Sequence, residues 1–244
     1  ASNPRQPLAP LTIRELFDRR VAEDPDFVYC RFGAEALTLA ELDRRINRFA
    51  NGLLALGLER GDRVAVMLPN HPDYVVAFLA AARIGVCQVP VNNNLRASGL
   101  EYVLEHSRLK AMIADIRFAP QLAEVLKPGM AEFIIGRGGI VGAGFGLSVT
   151  FDGVVARGSP ERPSVATRQD DPLLISYTSG TTGVPKGALV SDKMLQACGY
   201  AATTLTLEGG ALDPAVGKSF HQIAMAGRSL HRSQDMGQLQ TIGP

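Results

Sequence analysis

The stretch YTSGTTGVPKG, residues 177–187, decides how this chain reads. Its eleven positions hold four Ser or Thr hydroxyls, three glycines, one proline and one lysine. That mixture suits an anion such as phosphate, whose oxygens must be met by donors. Glycines let backbone N–H groups turn inward and approach closely. Hydroxyls add donors that rotate to fit, and a lysine adds a point charge. Thr178, Ser179, Thr181 and Thr182 supply the hydroxyls, and Gly180, Gly183 and Gly187 the backbone freedom. Pro185 stiffens the return and Lys186 brings the charge. A flexible polar turn is the plainer reading. Against it stand the specific order of residues and the apolar run Leu173–Tyr177 that leads in as a strand.

Upstream, residues 12–135 alternate between helical and strand patterns. TIRELFDRRVAED puts Ile13, Leu16, Phe17 and Val21 on one helical face, with Thr12 as its cap. FVYCRF follows as a strand. TLAELDRRINRFANGLLALG opens on a capping-box spacing, Thr38 to Glu41, and stops at Gly57. RVAVMLP and VCQVPV read as strands around a helix that starts at Asn70 with an early Pro72 and ends at Gly85. SGLEYVLEHS repeats the capping-box spacing with Ser98 and Glu101. KAMIAD is a strand, Arg117 to Leu126 a helix, and EFIIG a strand. The fold class expected is α/β, a mostly parallel sheet with helices on both faces. Its strands are near-continuous apolar runs, as doubly covered strands are. In such sheets ligands sit beyond the carboxyl ends of strands, where residues 177–187 would fall. GRGGIVGAGFG and RGSPERPSVATRQD read as surface loops ahead of the phosphate-loop strand.

YTSGTTGVPKGALVS closely resembles the signature loop of the AMP-forming, adenylate-making enzymes, which include acyl- and aryl-CoA ligases, luciferases and peptide-synthetase adenylation domains. The resemblance runs upstream through residues 37–115, and covers about 11–205. It implies part of the large N-terminal domain of such an enzyme. It also implies two half-reactions: a carboxylic acid and Mg-ATP give an acyl-adenylate and pyrophosphate, and CoA then takes the acyl group as a thioester. ATP, Mg2+ and CoA are the implied cofactors, and a small-molecule carboxylic acid the implied partner. By the same resemblance Thr178, Ser179, Gly180, Thr181, Thr182 and Gly183 would grip phosphates, with Lys186 beside them. His221, in SFHQIAMAG, matches a family Phe-His pair near the carboxylate pocket; an ordinary loop histidine is the plainer reading.

Two glycine-rich stretches do not carry a nucleotide site. GALDPAVGKS has six residues between Gly210 and Gly217, where a Walker loop needs four. GRGGIVGAGFG contains no G-x-G-x-x-G. The tail, 206–244, departs from the family pattern. The family's adenine-contacting segment, ribose-binding aspartate, hinge and C-terminal domain have no counterpart, so the 244-residue chain is expected to lack full turnover. A non-catalytic nucleotide- or polyphosphate-binding module is the alternative. An oxidoreductase would rest on the fold pattern alone.

Composition narrows the classes further. The chain is 46% apolar and 20% charged, as soluble globular proteins are. A net charge of +1 gives no basis for a nucleic-acid partner. No apolar run reaches the ~20 residues of a membrane span. Cys30, Cys87 and Cys198 sit in apolar contexts and read as buried free thiols in a reducing cytoplasm. Four scattered histidines make no metal spacing. The start at Ala1 reads as a processed or engineered N-terminus, and the chain is compatible with a homo-oligomer.

Overall fold

The computed structural model describes residues 11–95, 97–142, 146–178 and 185–197. The expected α/β architecture is present. Seven strands form one sheet in the order β7-β6-β5-β3-β4-β8-β9, and a separate hairpin pairs β1 (Val28–Phe32) with β2 (Glu35–Thr38). Within the large sheet β3 (Arg63–Met67), β4 (Cys87–Pro90), β5 (Ala111–Asp115), β6 (Phe133–Arg137), β7 (Leu147–Thr150) and β8 (Pro172–Thr178) run parallel. Only β9 (Lys186–Ser191) runs against its neighbour. All six parallel strands therefore end on one rim.

Helices cover both faces. On one lie α1 (Ile13–Glu23), α2 (Leu39–Ala55), α3 (Pro72–Arg83) and α6 (Phe151–Arg157). Their apolar side chains meet Val64, Val66, Ile113, Ile135 and Leu174 of the sheet. On the other lie α4 (Ala97–His106) and α5 (Ala119–Ala123), packed on Ala65, Met67, Val89, Met112, Ile134 and Ile175. The period-2 alternation of strand side chains sorts these residues between the two cores.

The helix ends follow the sequence signals in part. Thr12 and Thr38 form complete capping boxes with Glu15 and Glu41. Gly57 and Gly85 take φ +92° and +69°, the left-handed stops expected after α2 and α3. Three expectations change. The N-cap of α3 is His71, not Asn70; its Nδ1 accepts from the Asp73 N–H at 3.1 Å. Helix α4 already includes Ala97, so Ser98 lies inside it rather than capping it. The expected helix from Arg117 to Leu126 is a 3-10 turn, Ile116–Phe118, followed by the five residues of α5. Strands β2 and β7 and helix α6 were not expected. Each is short, and β2 and β7 lack the continuous apolar run that marks the buried strands. Part of GRGGIVGAGFG accordingly belongs to β6 rather than to a loop.

Polar groups fix how the helices sit. Arg83, 1% exposed, bridges Asp18 of α1 at 2.5 Å and Asp43 of α2 at 2.9 Å, and donates to Asn47. The Phe17 ring lies 5.7 Å from its guanidinium. The start of α1 is latched to residues far along the chain: both Asp192 carboxylate oxygens accept from the Ile13 N–H at 2.9 Å. Gln169 and Gln196 donate to the Leu11 carbonyl at 2.8 and 2.7 Å. Cys30 and Cys87 are free thiols, Cys87 buried and Cys30 half-buried, while Cys198 lies outside the described residues. Burial pushes the Cys87 thiol up to about 12. Among the described residues no helix is long and apolar enough to cross a membrane.

Removing the Arg83 guanidinium strips Asp43 of its ion-pair partner and leaves Asp18 with Arg162 alone, at 3.0 Å, in a largely buried three-helix junction. Arg83→Met is expected to lower stability by about 3–5 kcal/mol, read as a drop in the urea midpoint. A midpoint within ~0.5 kcal/mol of wild type, the range of ordinary surface changes, would mean the junction is held by packing alone.

Candidate functional site

The rim where the parallel strands end carries two polar clusters. One lies at the ends of β5 and β6. Asp115, the last residue of β5, accepts from Arg137 Nη1 at 2.6 Å, from Arg117 Nε at 2.9 Å and from the Arg117 N–H at 3.0 Å. Arg137 also reaches Asp73 at 2.7 Å, and Arg45 meets the other Asp73 oxygen at 2.7 Å. Burial alone would push the Asp115 carboxyl up, but these hydrogen bonds and the guanidinium charges together hold it below its usual value. His71, packed edge-on against Phe32 at 4.6 Å, is shifted down, chiefly by burial, with Asp73 opposing. Its Nδ1 caps α3 and also lies 3.0 Å from Asp73 Oδ2.

The second cluster surrounds YTSGTTGVPKG. Strands β8 and β9 bring its two ends together as an antiparallel pair, with Thr178 opposite Lys186 and Tyr177 opposite Gly187. A side chain at 187 would have no room. A Cβ there would stand 3.0 Å from Ile175 Cγ2 and 3.3 Å from Tyr177 Cζ. The Tyr177 ring lies over the glycine, an aromatic covering a residue with no side chain of its own. Its hydroxyl continues to His106 Nδ1, 2.7 Å away at the end of α4. The His106 ring in turn stacks on Tyr102, one helical turn earlier, at 5.1 Å. Burial pushes the Tyr177 phenol up to about 12, so it keeps its proton at neutral pH. Because the strand is pleated, Thr178 and Lys186 project to the face opposite Tyr177. Lys186 is exposed and forms no ion pair among the described residues, so its amine can meet an anion.

Of the residues singled out in the sequence, Thr178 and Lys186 are thus brought face to face. Ser179, Gly180, Thr181, Thr182, Gly183 and His221 lie outside the described residues. His106 was read only as part of a helix. Its partner is 71 positions away, and nothing local in the sequence marks such a contact.

Residues 17–220 match the family described as AMP-binding enzyme. The chain belongs to that family. It is 37% identical over 173 residues to a feruloyl-CoA synthase from an Amycolatopsis species, covering 71% of this chain and 32% of that one. It is 33% identical over 157 residues to the long-chain-fatty-acid–CoA ligase FadD13 of Mycobacterium tuberculosis, covering 63% and 29%. The chain therefore spans about a third of the length of these relatives. Among solved structures, the N-terminal domain of FACL13 from Mycobacterium tuberculosis, bound to an inhibitor, superposes with TM-score 0.67 at 28% identity over 79% of this chain and 47% of that one. The anthranilate CoA ligase AuaEII, in complex with anthranoyl-AMP, shares the fold with TM-score 0.70 at 20% identity, covering 80% and 38%.

Two outcomes follow from this geometry. Gly187→Val forces the Tyr177 ring aside and is expected to cost about 1–3 kcal/mol, the usual penalty of overpacking, measurable by thermal unfolding. Stability is also expected to fall in two stages on acidification. Both groups have folded pKa values below their unfolded ones, so the unfolded chain takes up protons first and stability is lost as pH drops. The His71 contribution goes as pH falls below 6.5 and that of Asp115 as it falls below 3.8. His71→Asn, which keeps a capping oxygen without titrating, should flatten the first stage in urea titrations across pH.

Proposed function

We propose that this chain carries the phosphate-loop portion of an ATP-dependent acyl- or aryl-CoA ligase. The observation behind the reading is the Thr178–Lys186 pair at the mouth of the Gly/Thr-rich loop, on the rim where ligands of parallel sheets bind. Family membership and relatives named as CoA synthases or ligases support it. Residues 11–205 would form the N-terminal part of the AMP-binding domain, with the phosphate loop at 177–187 and 206–244 an atypical continuation.

In this reading a carboxylate oxygen attacks the α-phosphorus of Mg-ATP. The bond to the bridging oxygen breaks and pyrophosphate leaves. The sulfur of CoA then attacks the acyl carbonyl and AMP departs. The first step gathers negative charge and asks for positioning and electrostatic stabilisation more than proton transfer. The residues present fit a polyphosphate. Lys186 offers an unpaired cation, Thr178 a hydroxyl beside it, and no acidic side chain is paired with either among the described residues. Ser179, Gly180, Thr181, Thr182 and Gly183 would complete the grip, and His221 would border the acid. Mg2+ would enter with the nucleotide, with CoA as acyl acceptor and a carboxylic acid as substrate.

Carboxylate-dependent ATP–pyrophosphate exchange tests the reading in a chain that carries these residues within a full family-length protein. Lys186→Ala or Thr181→Val is expected to slow exchange roughly 100-fold, the scale of losing one donor to a charged reacting group. Unchanged exchange in both variants would remove the phosphate-binding role. With the 244-residue chain, tighter binding of ATP than of tripolyphosphate would favour the ligase portion. Equal binding of the two would favour a bare polyphosphate-binding module.

A further inference from the structure

We propose that His106 is a positioning residue for the phosphate loop: through its hydrogen bond to Tyr177 it holds the Thr178–Lys186 pair in the register that meets a nucleotide's phosphates. The proposal deepens the adenylating reading and rests on it. Its basis is how little else supports the end of β8. Strand β8 is registered to β4 at one pair, Gln88 with Leu174, four residues before Thr178. Beyond it β4 ends at Pro90, which has no N–H to give to a neighbour. Past Leu174, support for β8 comes from β9 on one edge, from Ile175 buried in the core and from Tyr177 reaching α4.

The imidazole is well placed to bear that load. It is fixed between two aromatic rings, stacked on Tyr102 with planes 19° apart and edge-on to Tyr177 at 5.7 Å. Helix α4, which carries it, is anchored in the core by buried Leu100, Val103 and Leu104. The Tyr177 ring can lie across β9 toward His106 because position 187 is glycine. Tyr177 and Thr178 are adjacent, so an anchor on the phenol fixes the pleat that aims Thr178 and Lys186 to the opposite face. The phenol, un-ionised at neutral pH, can donate to Nδ1 or accept from it, so the bond forms with either tautomer of the ring.

The test is backbone hydrogen exchange on the 244-residue chain and on Tyr177→Phe, His106→Phe, their double variant and His106→Asn. Tyr177→Phe removes one oxygen and keeps the ring over Gly187, so the fold is retained even where a change at His106 is not tolerated. Exchange in the Tyr177–Gly187 end of the β8–β9 ladder is expected to quicken about fivefold to tenfold, the size of one hydrogen bond. The double variant should be no faster than either single one, because both delete the same bond. His106→Asn, whose amide can occupy the place of Nδ1, should recover most of the protection. Strands β3 and β5 should not change. Unchanged exchange at the ladder end, or an equal rise throughout the sheet, overturns the proposal. The Kd for ATP is measured on the same samples, and Tyr177→Phe should weaken it by a similar factor. A ladder end that loosens while ATP affinity stays as in wild type also overturns it. A wild-type chain that binds neither ATP nor tripolyphosphate refutes the phosphate-loop reading, and the proposal with it, even if the exchange pattern is as expected.

Discussion

Strand β8 has neighbours that run in opposite directions, and the site depends on how it satisfies both. Parallel to β4, it sends its carboxyl end to the same rim as the other parallel strands. Antiparallel to β9, it brings the chain straight back across the loop mouth. Together these conditions set Thr178 opposite Lys186 at the edge of a sheet that is buried on both faces. A loop between two parallel strands would need a long crossover before its second end returned. The hairpin sets the two ends of the Gly/Thr-rich stretch opposite each other within eleven residues of sequence.

Buried charge is concentrated where helices meet one another or meet the rim: Arg83 between α1, α2 and α3, and the Asp73–Arg137–Asp115 chain across the ends of β5 and β6. Such groups are costly to desolvate and are tolerated where opposite charges meet. Gln88 is an exception. It is fully buried, and neither side-chain amide atom has a partner among the described residues. It stands at the single point where β4 and β8 are registered.

Much of this was legible in the sequence. Long amphipathic helices with capping residues, such as α2 between Thr38 and Gly57, announce themselves, and so do the doubly buried strands β3 and β5. Strands β2 and β7 and helix α6 did not. Strand β7 and helix α6 exist because the sheet and α2 offer them surfaces, a tertiary cause that local pattern does not record. The same holds at the site. The Gly/Thr-rich stretch 177–187 stands out by its composition and order. The facing of Thr178 and Lys186 and the reach of Tyr177 to His106 arise only when separate segments meet.

The latch between Ile13 and Asp192 bears on how the protein is made. The two residues are 179 positions apart, yet the carboxylate of the second satisfies the first free N–H of α1. On a ribosome, helix α1 emerges long before its partner. At ordinary elongation rates the wait is about ten to forty seconds. Over that interval α1 can pack against α2, α3 and the growing sheet but lacks its partner Asp192. Helix α1 is thus made well before the carboxylate that satisfies its first N–H, an interval in which its N-terminal end is open to chaperones and proteases.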